Sequence, residues 1–161
     1  MNVILQYNQF NPIYLYFLER KSNMIIDGFF SKLMYSTNCF ITTGLYIDCL
    51  FQHQSIKKIR TSIIEFDIHK NNDSIQKLLN IEKQILLEYI QQLQLSPKIP
   101  VYDLEHKLQS GMIKFYSSNT YNKTNNFKLL SSVNYYIKIS GIWETEHQVG
   151  LTYKIIEYQS K

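Results

Sequence analysis

Between Val133 and Tyr158 the chain reads VNYYIKISGIWETEHQVGLTYKIIEY, two runs with a period of two around a short polar stretch. In the first, Val133, Tyr135, Ile137, Ile139, Gly141 and Trp143 alternate with Asn134, Tyr136, Lys138, Ser140 and Ile142. In the second, Val149, Leu151, Tyr153 and Ile155 alternate with Gly150, Thr152, Lys154 and Ile156. That period among β-branched and aromatic residues belongs to half-buried strands. Glu144–Gln148 is too polar to continue either run, which predicts a hairpin with a five-residue loop. The alternation puts Trp143 on the inward face with Ile137 and Ile139. It leaves Tyr136, Lys138, Lys154 and Tyr158 on the opposite face.

Strand patterns recur upstream, at Val3–Tyr7, Ile13–Glu19, Asn38–Phe51, Ile99–Asp103 and Gly111–Tyr116. Gly44 within Asn38–Phe51 marks a bulge or sharp bend, the device by which small barrels turn corners. Ile56–His69 reads as one long strand, basic in its first half. Met24–Tyr35 fits a helical stripe as well as a broken strand. The long helix is predicted over residues 73–94. Asn72 and Asp73 supply N-cap chemistry, Gln76 follows at capping-box spacing, and Ile75, Leu78, Leu79, Ile85, Leu86, Tyr89, Ile90 and Leu93 form its apolar stripe. Ser96–Pro97 ends it. Leu104–Ser110 is a single helical turn, and the Asn-rich Ser117–Phe127 is a loop. The expected fold is mainly β, a barrel with one helix packed on it, in a single domain over 1–161.

At 161 residues and 45% hydrophobic content, the chain buries roughly 70% of its unfolded surface and needs no disulfide or metal to hold a core. Cys39 and Cys49 fall on the apolar face of their strand, which predicts buried thiols and a reducing compartment. With His53 they match no common zinc spacing, so no metal is expected. No apolar run approaches the roughly 20 residues that cross a membrane, and the N-terminus lacks the pattern of a signal peptide. A cytoplasmic location is therefore expected. Glu144/Glu146 and Asp103/Glu105 are paired carboxylates without a third partner, read as solvated loop acids. Glycine-rich phosphate loops, nucleophile elbows and metalloprotease helices are missing. Neither an enzyme nor a cofactor is expected.

Net charge is +4, and the chain holds 13 Tyr. Lys114/Tyr116, Tyr121/Lys123, Tyr136/Lys138 and Lys154/Tyr158 each set a cation within four residues of a ring. Residues two apart on a strand share a face about 7 Å apart. That spacing suits a phosphate held by lysine beside a base stacked on tyrosine. Lys58 and Arg60 add cations from the basic half of Ile56–His69. These ten residues are the candidate binding surface, for single-stranded DNA; an RNA-binding module shares the same stacking logic. The same pattern also arises on solvated strands of an AT-biased sequence. An assembly or capsid-like protein, using the surface against protein, is the alternative.

The stretch Tyr136-Ile-Lys-Ile-Ser-Gly-Ile-Trp143, followed by Val149-Gly-Leu-Thr-Tyr-Lys154, resembles the closing strands of OB-fold single-stranded DNA-binding proteins of yeast cytoplasmic linear plasmids and large cytoplasmic DNA viruses. The resemblance implies an OB-like barrel, sequence-independent coating of strands exposed during replication, and no chemistry. It implies DNA-facing positions for Lys138 and Lys154, and Trp143 matches the family's tryptophan. A homo-oligomer is compatible with it.

Overall fold

The computed structural model describes residues 3–58, 62–93, 98–117 and 133–159, and for 53–58, 117, 133 and 159 the backbone alone. The strands are β1 (Leu15–Phe17), β2 (Lys21–Ser22), β3 (Phe29–Ser36), β4 (Ile41–Thr43), β5 (Leu45–Cys49), β6 (His53–Lys58) and β7 (Ser62–Phe66). Helix α1 (Asn72–Gln92), β8 (Ile99–Val101), α2 (Asp103–Gln109), β9 (Met112–Ser117), β10 (Val133–Glu144) and β11 (Gln148–Gln159) follow. The protein is mainly β. All eleven strands join one sheet, ordered β1-β3-β10-β11-β9-β7-β6. The sheet is not closed.

The β10–β11 hairpin is its axis, and each long strand serves two partners in turn. β10 pairs β5 along Tyr135–Ile139 and β3 along Gly141–Glu144. β11 pairs β8 along Gln148–Gly150 and β9 along Ile155–Glu157, both parallel. Where β10 changes partner the register slips. Ile139 faces Tyr153 and Gly141 faces Thr152, so Ser140 is a bulge. At the same fork the chain bends between β4 and β5 at Gly44, with φ +86°, where a Cβ would lie 2.8 Å from the Ile139 carbonyl oxygen.

The bulge reverses the alternation of β10. Before it, Tyr135, Ile137 and Ile139 point into the core; after it, Ile142 and Glu144 do. Trp143 therefore stands on the outer face, half-buried, and not beside Ile137 and Ile139 as the uninterrupted period predicts. The strands also run on to Glu144 and Gln148, leaving three connecting residues in place of five.

The long helix forms close to where its stripe places it. Ile75, Leu78, Leu79, Ile81, Ile85, Leu86 and Tyr89 are buried in one cluster with the inner residues of β3, β5, β10 and β11. Its start differs from the expected capping box. The N-cap residue is Asn71, whose side chain donates to the carbonyls of Gln52 and Asp67 and accepts from the Gln52 N–H. Ile56–His69 is not one strand: β6 and β7 pair antiparallel, with Lys58 opposite Ser62. Ile13–Glu19 keeps only β1 as strand, preceded by a 3-10 turn over Pro12–Tyr14. Val3–Tyr7 is no strand either, contributing one bridge from Leu5 to Ile47. Met24–Tyr35 resolves as strand from Phe29. Cys49 is buried, but Cys39 is exposed. The Thr37 hydroxyl accepts the N–H groups of Cys39 and Phe40, a turn that carries Phe40 toward the core and leaves the thiol outside. Among the described residues no helix is long and apolar enough to cross a membrane.

Candidate nucleic-acid interface

The outer face of β5, β10, β11 and β9 carries the aromatic and basic side chains. Period two delivers Tyr46 and Asp48 from β5, Tyr136 and Lys138 from β10, Lys154 and Tyr158 from β11, and Lys114 and Tyr116 from β9. Register assembles them: Lys138 lies opposite both Tyr46 and Lys154, Tyr136 opposite Asp48 and Ile156, and Tyr116 opposite Ile156. Three rings form a row. Tyr46 and Tyr136 have centroids 5.9 Å apart, and Tyr136 and Tyr158 5.6 Å.

Lys114 pairs with Tyr116 along β9, as the sequence spacing predicts, whereas Lys138 and Lys154 meet rings across strands and not Tyr136 and Tyr158 on their own strands. The Lys138 ammonium lies 5.4 Å from the Tyr46 centroid. Those of Lys154 and Lys114 both lie 5.3 Å from the Tyr116 centroid. Directly opposed residues have Cβ atoms about 4.5–5.5 Å apart, closer than same-strand neighbours, which favours the cross-strand contacts of Lys138 and Lys154. Tyr46 is only 5% exposed beneath Lys138 and Tyr136, and forms a floor. Tyr136 and Tyr158 are half-buried, and Tyr116 is 43% exposed. Buried Asp48 accepts from the Tyr158 hydroxyl at 3.3 Å and from the Gln6 amide at 3.0 Å, fixing the end of the row. Burial, and then the neighbouring Asp48, raise the Tyr158 pKa. Burial raises that of Tyr136 too, with Lys138 acting against it.

Two lysines, Lys138 and Lys154, thus stand directly opposite each other in register, with their ammonium groups over Tyr46 on one side and Tyr116 on the other. Among the described residues neither makes an ion pair. Opposed like charges on a sheet are destabilising, and an anion above the pair relieves that repulsion.

Six of the sequence-selected residues come together here: Lys114, Tyr116, Tyr136, Lys138, Lys154 and Tyr158. Lys58 closes β6, two strands away from β9, and its side chain lies outside the described set. Arg60, Tyr121 and Lys123, with most of the Asn-rich stretch, also lie outside the described residues. Sequence reasoning missed Tyr46, although its alternation with Asp48 was available. It also misplaced Glu144, which is no solvated loop acid. This carboxylate is 1% exposed and accepts from Arg20 at 2.9 Å, Lys98 at 2.7 Å and the Tyr89 hydroxyl at 2.9 Å. Burial alone pushes its pKa up. The bonds from Lys98 and Tyr89 and the charges of Lys98 and Arg20 outweigh that and hold it below the usual range. The four groups lock the hairpin end to α1, to the connection between β1 and β2 and to the residue before β8, and present no free acid.

No family model matches the chain, and neither a curated protein nor a solved structure does.

Proposed function

We propose that this protein binds single-stranded DNA without sequence preference, through the outer face of β5, β10, β11 and β9, and performs no chemistry. The opposed Lys138–Lys154 pair beside a row of tyrosines carries this reading. The lysines neutralise phosphates, together with Lys114. Tyr136, Tyr158 and Tyr116 offer ring faces on which any base stacks, worth about 1–3 kcal/mol per base. In the free protein, ammonium groups cover the rings of Tyr46 and Tyr116. A bound strand takes the ammoniums to its phosphates and frees the Tyr116 ring for a base, at a cost of about 0.5–1 kcal/mol for each exposed cation–π contact given up. The mainly β sheet with its one long helix is read as an OB-like barrel left open at β1 and β6. The protein then serves to coat strands exposed during replication, in the cytoplasm, as the likeness of its closing strands to plasmid and viral single-strand binders implies. RNA fits the same stacking chemistry.

The test is fluorescence anisotropy with labelled oligo-dT and the matching duplex at two salt concentrations. Salt-sensitive binding to the single strand alone is expected. Absence of binding at low salt rejects the proposal.

One observation favours a second reading, an assembly or capsid-like protein. The free edge at β1 exposes Ile13 (74%), Tyr16 (60%) and Leu18 (48%). An unpaired apolar edge is a template for pairing with another copy. Nuclease treatment separates the two readings, because a nucleic-acid binder loses absorbance at 260 nm and an assembly protein keeps its oligomeric state.

A further inference from the structure

We infer that the strand's path continues beyond the lysine pair to a second stacking subsite built from Trp143, Phe30 and Lys32. The inference rests on the single-strand binding proposed above and extends its footprint. The bulge at Ser140 turns Trp143 onto the same outer face as Lys138, and register sets it opposite Phe30 on one side and Gly150 on the other. Its indole lies over Gly150, where a Cβ would come within 2.4 Å of the ring. Phe30 covers Gly141 in the same manner, at 2.6 Å. Two glycines thus clear the sheet surface, and two rings replace the missing side chains with an aromatic floor. Trp143 keeps part of its surface in solvent.

A cation completes the pattern. Exposed Lys32 follows Phe30 on the same face of β3, and a cleft of about 170 Å³ beside it is lined by Leu18, Glu19, Lys21, Phe30 and Lys32. Ring plus ammonium is the chemistry of the Tyr116–Lys154 patch repeated at the other end of the hairpin. Gly150 and Lys154 are four residues apart on β11, about 13 Å along the strand. About four nucleotides at the stacked rise of 3.4 Å cover that distance. Between the patches stands Thr152, a short hydroxyl side chain that leaves the path open. The ligand class is therefore a single strand long enough to engage both patches.

Trp143 is the chain's only tryptophan, so its emission reports this subsite alone. The full chain is titrated with labelled dodeca-dT while anisotropy and tryptophan emission are read together. Quenching in step with the rise in anisotropy is expected. A rise in anisotropy with unchanged emission overturns the second subsite and leaves the proposed function standing. No rise in anisotropy at low salt overturns both. Lys32→Glu, an exposed change that does not touch the core, is expected to weaken dodeca-dT binding several-fold and to flatten the log–log salt slope by about 0.7. An affinity and slope equal to wild type remove β3 from the path.

Discussion

Tyr136 sits at the centre of the ring row, half-buried between Tyr46 and Tyr158. Its replacement by alanine is expected to cost about 1–3 kcal/mol of single-strand affinity while leaving the urea midpoint near wild type; unchanged affinity removes it from the interface. Glu144 is buried among its partners, away from the proposed binding face. Glu144→Ala strips a buried carboxylate from two cations and a hydroxyl, and is expected to destabilise the protein by about 3–5 kcal/mol, read by urea denaturation with binding at native conditions intact. Glu82 is the residue that titrates. It is 1% exposed and accepts the N–H groups of Leu104 and Glu105 at the start of α2, both at 3.1 Å. Burial dominates those bonds and raises its pKa from 4.5 to about 7. The folded pKa lies above the unfolded one, so the protonated acid favours folding. That contribution is complete below about pH 4.5 and is lost as pH rises through about 7, at most about 3 kcal/mol. Urea midpoints at pH 5 and pH 8 are expected to differ more for wild type than for Glu82→Gln; equal differences discard the assignment.

Among the elements, β10 is where sequence and structure part company. Its period of two announces a strand, and the stripe from Ile75 to Tyr89 announces α1; both signals are local and both elements form. The bulge at Ser140 is not local. It appears because β10 exchanges β5 for β3 at that point, and no residue in the run marks the exchange except Gly141, which alternation alone assigns inward. One unpaired residue then moves Trp143 out and Glu144 in. The pairing of β6 with β7 was hidden for a related reason. Alternation from Ile56 to Ile68 runs on without Gly or Pro to punctuate it, and only the partnership of β7 with β9 fixes where the strand folds back. In the proposed binding face, the residue types, the face and the Lys114–Tyr116 pair were legible, whereas the ring partners of Lys138 and Lys154 depend on register between strands far apart in sequence. The glycines of the hairpin test this account. Gly141→Ala places a Cβ 2.2 Å from the Ser31 carbonyl oxygen, a backbone atom, and is expected to cost about 1–3 kcal/mol or more by urea denaturation. A stability equal to wild type means that β3 does not lie against β10 as described.

At the scale of the whole molecule, charge decides how the protein answers to salt. A net charge of +4 is modest, but Lys114, Lys138 and Lys154 are gathered on one face. Three phosphate contacts correspond to a log–log salt slope of about −2 for a single strand. A measured slope near zero shows that the lysines do not meet phosphate, and one far steeper shows that cations outside this face take part.

The hairpin at the centre of the sheet also sets the order in which the molecule is completed during synthesis. β1, β3 and β4 find one another within the first third of the chain, and β6, β7 and β9 within the next stretch. Among the described residues, β5 and β8 pair with no strand but β10 or β11, the Leu5–Ile47 bridge aside, and the two groups of strands are joined only through that pair. Residues 133–159 leave the ribosome after every strand they join. Until they emerge, the nascent chain holds two separate fragments of sheet with their inner edges bare. A chain that stops short of residue 133 therefore lacks both the proposed binding face and the seam between the two groups of strands.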